Sequence, residues 1–298
     1  MKIGYPCLNH TLGKQAYKTF RLASYSDTRF IETVSHNLGY LRRVLEFNLE
    51  HELKFFRISS GIIPFASHPV LKVNWQRVFK EELAEIGSFI IKNGMRISMH
   101  PDQFVLINSP SGDIVKNSVK DLLAQAQFLD LLGLDAGQKL QIHVGGVYAE
   151  RKTAIRRFIA NYLKLPSVVT ARLVIENDDR NYPLDDCLRI HEAVGIPVLF
   201  DSFHHECLNQ GETMFEAMMM AAATWGAGDG AMMVDYSSQQ PHAVTGKHAA
   251  TIDINNFKEF ILSSRRIDFD LMLEIKDKEK SALKALELCR QVREGAEV

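Results

Sequence analysis

The segment PVLFDSFHHE, residues 197–206, joins an apolar run to a carboxylate and two imidazoles. The run PVLF is typical of a buried strand, so Asp201 would lie where that strand leaves the core. His204, three positions later, would turn back toward Asp201 from the start of the next loop. His205 would point the other way and is interpreted as structural. A carboxylate and an imidazole at one strand end are groups that bind metal ions or transfer protons.

The same residue types recur where other apolar runs end. A histidine or an acidic residue lies at or near the end of six runs: His100, His143, Glu176, Asp201, Asp235 and Glu274. Two more histidines, His242 and His248, follow the seventh run. If the runs are parallel strands of one barrel, their carboxyl ends meet at a single rim, where barrel enzymes have their active sites. Residues far apart in the sequence would then be neighbours.

The elements that would position these side chains alternate regularly. Short apolar or β-branched runs cover residues 2–7, 53–59, 95–101, 139–146, 172–178, 197–203, 231–237 and 270–276, as expected for strands covered on both faces. Between them, apolar residues recur every three or four positions and predict helices over residues 28–52, 74–90, 115–133, 151–164, 184–194, 212–224, 255–264 and 278–292. The alternation predicts an α/β fold, a single (β/α)8 TIM barrel that spans residues 1–298 as one domain. An open doubly wound sheet is the alternative, although no glycine-rich phosphate loop follows the first run.

The excess of acidic side chains expected at the rim predicts that metal ions bind there. One buried histidine at a strand end is more often a satisfied core residue than a ligand. Several carboxylates buried together need counter-charges, because ionised groups are costly in a low-dielectric interior. Lys and Arg are scarce at these positions, with Arg57 as the main exception. Divalent ions would neutralise the carboxylates, and mixed imidazole and carboxylate ligands suit Mn, Zn or Fe better than Mg or Ca.

Composition limits the class of protein. The chain has 298 residues, of which 46% are hydrophobic and 24% charged, the balance of a globular enzyme. Its net charge of -1 gives no support from bulk charge to a nucleic-acid partner. No run approaches the roughly 18 apolar residues of a membrane span, and the four cysteines are scattered. We therefore expect an intracellular protein, cytoplasmic or in the nucleoid if prokaryotic, with no membrane partner and no obligatory protein partner.

Several longer motifs resemble one known family. IGYPCLNHTL, NLGYLRRVLEFNLEHELKFFRISSGIIPFASHP, HPDQFVLINSP, LQIHVGG, LVIENDD, DSFHH and LMLEIKDKE follow one another as they do in the UV damage endonuclease family. The resemblance runs almost end to end, and the long block that ends in SSGIIPFASHP is its most specific part. It implies the barrel that this family shares with endonuclease IV.

The resemblance implies a metal-dependent repair nuclease. Such an enzyme nicks damaged double-stranded DNA immediately 5′ of ultraviolet photoproducts and leaves a 3′-hydroxyl and a 5′-phosphate. The metal positions of the family fall on His100, His143, Glu176, Asp201, His204, His248 and Glu274. His68, in the motif FASHP, matches a further position and would either bind metal or orient a neighbour.

The chain departs from the family in the seventh run. Many members have a lysine there, which can be carboxylated to bridge metal ions, followed by a histidine. This sequence has Met233 and Asp235 instead. A thioether cannot be carboxylated, and Met233 would then be a core residue. Our hypothesis is that Asp235 supplies a metal-binding carboxylate directly, which leaves two or three ions as the expected number.

The resemblance also predicts how the ligands divide. Glu176 would bridge two ions, because the fifth strand lies centrally among the ligand strands. His100 and His143 would complete one site, and Asp201 and Glu274 the second, so that these five are the expected catalytic residues. A third site, if occupied, would use His204, His248 and Asp235. We expect Mn²⁺ first, with Zn²⁺, Mg²⁺ or Co²⁺ as alternatives, and a water activated by the ions as the nucleophile.

Lesion recognition is predicted in the loop after the third run. A Gln-Tyr pair probes the base stack in the resembling family, and this chain has Gln103 and Phe104. An aromatic ring can wedge between bases, although Phe104 would instead be structural if it packs on its own helix. Tyr5 and Asn9 match family positions at the rim, where they would touch the lesion strand.

Two other functions stay open on the sequence alone. A metal-dependent sugar isomerase or epimerase can share the same barrel and the same strand-end ligands. A non-catalytic DNA-damage-binding protein would keep the DNA surface without the chemistry. The intact set of candidate ligands argues against the second alternative.

Overall fold

The computed structural model describes residues 1–13 and 16–294, so residues 14–15 and 295–298 of the predicted 1–298 domain lie outside the described residues. Eight parallel strands form a closed barrel in sequence order, with β8 hydrogen-bonded to β1. From β1 to β8 the strands are Ile3–Pro6, Phe55–Ser59, Arg96–His100, Lys139–His143, Leu173–Glu176, Val198–Asp201, Met232–Tyr236 and Phe269–Leu273. The predicted (β/α)8 barrel is confirmed, and the open doubly wound sheet is wrong.

Helices follow every strand and cover the barrel. From α1 to α11 they are Asp27–Glu50, Trp75–Val78, Lys80–Lys92, Gly112–Leu131, Arg151–Tyr162, Ser167–Thr170, Leu184–Val194, Ser202–Cys207, Met214–Ala222, Ile254–Ser264 and Glu279–Glu294. The longest, α1, begins after Ser26, whose side chain accepts a hydrogen bond from the Arg29 amide. In the described part of the chain, no helix is long and apolar enough to cross a membrane.

Several boundaries differ from the sequence prediction by a few residues, and two of the differences have a clear backbone cause. The helix predicted from Asn74 breaks at Phe79, whose backbone (φ -105, ψ 14) ends α2 and precedes α3. The sixth run was predicted as a strand through residue 203, but β6 ends at Asp201. The Asp201 carboxylate accepts a hydrogen bond from the His204 amide and so caps α8, which starts one residue later.

The barrel interior is layered along the strands. Its middle contains a fully buried apolar cluster: Phe55, Val174, Leu199, Met233 and Met272. The amino-terminal end is closed by ion pairs, in which Arg96 lies 2.9 Å from Asp270 and Lys139 lies 2.6 Å from Asp229. Met233 is therefore a core residue, as the sequence analysis allowed. The apolar layer separates these ion pairs from the carboxyl end of the barrel. The polar side chains that point inward at the carboxyl end therefore form a site of their own.

One glycine tests how closely the helices pack around the barrel. A Cβ added to Gly87 in α3 would lie 1.6 Å from the carbonyl oxygen of Leu132. Gly87→Ala should lower the free energy of unfolding by about 1–3 kcal/mol, as overpacking does. Gly39→Ala in α1, where the nearest atom would be 3.9 Å away, should instead raise it by about 0.5–1 kcal/mol through helix propensity. Urea unfolding of both variants decides; equal effects would contradict the packing described.

Candidate metal centre

The predicted ligands meet at the carboxyl end of the barrel. Strand register places His143 beside Glu176 and Asp201 beside Asp235. Three groups of side chains each bring one potential ligand atom per residue within 4.8 Å of the others: His100, His143 and Glu176; Glu176, Asp201 and His204; Asp201, Asp235 and Glu274. These groups could hold metal ions, because each combines carboxylates, or carboxylates with imidazole, at ligand distances.

Glu176 joins two of the groups. Its Oε2 lies 3.5 Å from His100 Nε2 and 3.7 Å from His143 Nε2. Its Oε1 lies 3.3 Å from His204 Nδ1. The side chain is 1% exposed, so inside the protein Oε2 faces two imidazoles and Oε1 faces a third. This is the arrangement that a carboxylate shared between two cations requires.

Main-chain carbonyls fix several imidazole rings. His100 Nδ1 is 2.9 Å from the Pro101 oxygen, and His248 Nδ1 is 2.8 Å from the Glu274 oxygen. His204 Nδ1 is likewise 3.0 Å from the Asn177 oxygen. Since a carbonyl only accepts, Nδ1 donates in each pair, and the lone pair of the neutral ring is then on Nε2. Metal-binding histidines are usually oriented in this way. His248 lies outside the three groups, although its ring centroid is 6.0 Å from that of His204.

Asp201 provides a direct test of whether a cation fits. Its Oδ1 accepts the hydrogen bond that caps α8. Its Oδ2 is buried with no hydrogen-bond partner among the described residues, and it lies 3.5 Å from His204 Nδ1. A buried carboxylate oxygen without a partner is costly. A cation beside Asp201 and Glu176 would supply the missing partner, so the residues fit a metal site.

Arg57 lies among the same carboxylates. Its Nη2 is 2.7 Å from both Asp235 oxygens, and its Nη1 donates to Glu274 Oε1. Gln141 Nε2 donates to Asp235 Oδ2 at 2.7 Å and to Glu176 Oε2 at 2.6 Å. Asp235 lies close to other potential ligands, but donors already occupy both of its oxygens. Its role as a ligand therefore stays a prediction.

Sequence reasoning missed what these two polar residues do. Arg57 was noted only as an exception to the scarcity of cations, and Gln141 was not considered. Gln141 is two residues before His143 and therefore points to the same side of β4. That period-two spacing could have identified Gln141, whereas the contacts of Arg57 with β7 and β8 depend on barrel closure.

The charges set the pKa values of the two glutamates. Burial alone would raise the pKa of Glu176, but the neighbouring imidazoles of His143, His100 and His204 lower it well below its ordinary value. Burial would also raise the pKa of Glu274, yet Arg57 lowers it to about 2. Both carboxylates are thus anionic at neutral pH, as metal ligands must be.

The Asp201–His204 pair behaves differently. Burial raises the pKa of Asp201, against the opposing effect of His204. Burial would lower the pKa of His204, but Asp201 and Glu176 raise it to about 11. Without a cation, this pair therefore retains a proton at neutral pH.

Two predicted rim residues are buried instead. Tyr5 is 0% exposed and Asn9 2% exposed. The Tyr5 hydroxyl donates to Asn48 Oδ1 at 2.6 Å and accepts from Asn9 Nδ2 at 2.8 Å. The expectation that Tyr5 and Asn9 touch a lesion strand is corrected: β1 and its loop use them to pack against α1, and neither presents surface to DNA.

Two histidines lie apart from the centre. His68 is exposed and belongs to none of the three groups. Its Nδ1 accepts from the Val70 amide at 3.0 Å, and its role beside a metal ion stays a prediction. His205 is buried, with Nε2 3.2 Å from the Glu212 oxygen, a contact that agrees with a structural role.

The loop after β3 projects into solvent. Gln103 is exposed, and Phe104 is 73% exposed. The alternative that Phe104 packs on its own helix is therefore wrong. Gln103 lines a cleft of about 290 Å³ together with His100, His143, Arg180 and His204. Gln103 thus lies beside the candidate ligands, and the exposed Phe104 follows it in the chain.

A second groove opens on the other side of His100. Its volume is about 480 Å³, and its lining includes Cys7, Arg57, His248, Glu274, Lys276 and Lys278. The two lysines follow β8 and were not among the residues singled out by sequence. They bring positive charge to a groove bordered by candidate ligands.

Comparison with known proteins identifies the family of this chain. The family described as UV-endonuclease UvdE matches residues 1–298. A UV DNA damage endonuclease of Clostridium perfringens (strain 13 / Type A) is 38% identical over 294 residues, which cover 98% of this chain and 71% of that protein. The crystal structure of SacUVDE is 44% identical with a TM-score of 0.94, over 98% of this chain and 99% of that chain.

A more distant likeness concerns the fold alone. Endonuclease IV from Thermus thermophilus has a TM-score of 0.60 at 16% identity, over 87% of this chain and 94% of that chain. This likeness confirms the expected barrel fold and is not evidence for any activity of this chain. The whole-length family match and the similar relatives establish that the chain belongs to the UV-endonuclease UvdE family.

Proposed function

We propose that this chain is a metal-dependent DNA repair endonuclease that nicks duplex DNA immediately 5′ of ultraviolet photoproducts. The products would be a 3′-hydroxyl and a 5′-phosphate. Family membership supports a nuclease that acts on ultraviolet damage. The proposal of metal dependence rests on the position of Glu176. Its Oε2 lies beside His100 and His143, and its Oε1 lies beside His204.

The side chains present divide into two cation sites that share Glu176. His100 and His143 would hold one ion through their contacts on Oε2. Asp201 and His204 would hold the other on the Oε1 side. This division departs from the sequence prediction, which paired Asp201 with Glu274 and kept His204 for a third site. His248 and Glu274 flank the pair at the neighbouring groove.

The donor set favours Mn²⁺, with Zn²⁺, Mg²⁺ and Co²⁺ as alternatives, because imidazole and carboxylate are mixed. Two bound divalent ions supply an activated water and neutralise charge on the phosphoryl oxygens. The protein would hold the scissile phosphate near them. Lys276 and Lys278, which line the groove beside Glu274, would contact the anionic backbone.

The exposed loop would recognise damage. Phe104 would enter the base stack and replace the stacking that a flipped nucleotide loses, while Gln103 stays beside the cleft. Flipping costs a few kcal/mol and less at a distorted lesion. Distortion, rather than one chemical group, would thus select the substrate.

Removing the shared carboxylate tests the centre. Glu176→Ala should reduce nicking of an ultraviolet-irradiated, 5′-labelled duplex in Mn²⁺ at least a hundredfold, because both cation sites lose a ligand. Glu259→Ala, which removes an exposed glutamate on α10, serves as the control and should nick like the unaltered protein. Circular dichroism should show both variants folded. Near-normal nicking by Glu176→Ala would refute its role.

The loop is tested separately from the chemistry. Gln103→Ala combined with Phe104→Ala should weaken discrimination between damaged and undamaged duplex about tenfold. The double variant loses the aromatic ring that would stack in place of the flipped nucleotide and the amide beside the cleft. Cleavage of a duplex already distorted by mismatches should change less. Rates on both substrates, measured with limiting enzyme, decide the point. Equal losses on both would argue against a probing role.

Metal binding should release protons. His204, with its pKa raised to about 11, is protonated at neutral pH in the metal-free protein and must lose that proton to become a ligand. Lower pH stabilises the protonated form, so Mn²⁺ affinity should fall by up to about tenfold per pH unit for each proton released. Calorimetric titrations in buffers with different ionisation enthalpies measure the release. Heats independent of the buffer would contradict it.

A further inference from the structure

Arg57 differs from the other charged side chains of the site because it is a cation built into the chain. It is 2% exposed and lies on β2, two residues beyond Phe55 of the buried apolar layer. Its Nη2 is 2.7 Å from both oxygens of Asp235, and its Nη1 donates to Glu274. The guanidinium therefore links β7 and β8 above the apolar layer.

The position of Arg57 coincides with the third group of potential ligands. Asp201, Asp235 and Glu274 offer oxygens within 4.8 Å of one another. Three carboxylates at that separation need a positive charge between or beside them. Arg57 already supplies it for two of the three. A divalent ion bound to Asp235 would have to displace the guanidinium or lie against its charge.

Arg57 is also connected to the shared carboxylate. Gln141 Nε2 donates to Asp235 at 2.7 Å and to Glu176 at 2.6 Å. A chain of hydrogen bonds thus runs from Glu274 through Arg57, Asp235 and Gln141 to Glu176. Both ends of this chain are candidate metal ligands, and its middle is closed to solvent. The chain would hold those two carboxylates in place before any ion arrives.

We propose that Arg57 is a positioning residue that occupies the third carboxylate group as a fixed cation, so that this protein holds two divalent ions and not three. Asp235 is then the anchor of Arg57 and not a metal ligand. The inference rests on the proposed function only in requiring that the site binds divalent ions. It assigns Asp235 a different role from the one predicted from the sequence.

Counting bound Mn²⁺ without DNA tests this proposal. The unaltered protein, saturated with Mn²⁺ and measured by elemental analysis and calorimetry, should bind two ions per chain. Asp235→Asn should also bind two, because the amide replaces an anchor and not a ligand. Three ions in the unaltered protein, or one in Asp235→Asn, would overturn the proposal. No bound ion in the unaltered protein would instead refute the proposed metal-dependent function.

Variants of Arg57 test whether its charge prevents a metal ion from binding to the third group of carboxylates. Arg57→Ala should bind a third Mn²⁺, because it opens the space and exposes the paired carboxylates. Arg57→Lys keeps the charge and should stay at two. Arg96→Met removes another buried arginine, paired with Asp270 at the opposite end of the barrel, and should lower stability while the count stays at two.

Two ions of unchanged affinity in a folded Arg57→Ala would contradict the exclusion by Arg57. A third ion in Arg57→Lys would contradict it as well. Should Arg57→Ala fail to fold, the counts for the unaltered protein and for Asp235→Asn still decide between the two roles of Asp235.

Discussion

Four carboxylates, those of Glu176, Asp201, Asp235 and Glu274, are gathered at one end of this barrel, and three of them are at most 1% exposed. Ionised carboxylates in such surroundings need counter-charges within a few ångströms, since burial without them costs several kcal/mol per group. Arg57 meets part of this need, and imidazoles meet another part. The unpartnered oxygen of Asp201 marks where a further positive charge fits. The remaining features of the site follow from this requirement.

The barrel satisfies the requirement through simple geometry. Side chains alternate along each strand, so every second residue points inward and successive residues form layers. Ion pairs close the amino-terminal end, and an apolar layer with Met233 and Met272 fills the middle. The last inward positions therefore converge on the rim. His143 and Gln141 share one side of β4, which explains how a ligand and a supporting donor come from a single strand.

Much of this could be predicted from sequence, because apolar runs that end in His, Asp or Glu are local patterns. Eight apolar runs predicted the barrel, and the ends of the six that carry His, Asp or Glu predicted the cluster. Contacts that depend on three-dimensional closure could not be predicted, and the bridge from Arg57 to Asp235 and Glu274 is the clearest case. Tyr5 and Asn9 were misplaced because a motif match does not report burial.

The central claim is that Glu176 is shared by two cations. Anomalous diffraction at the manganese edge, from crystals soaked in Mn²⁺, tests it most directly. The account predicts two peaks, one beside Glu176 Oε2 with His100 and His143, and one beside Oε1 with Asp201 and His204. Strong peaks at the rim that do not contact Glu176, or a single peak bound by one of its oxygens at full occupancy, would contradict it.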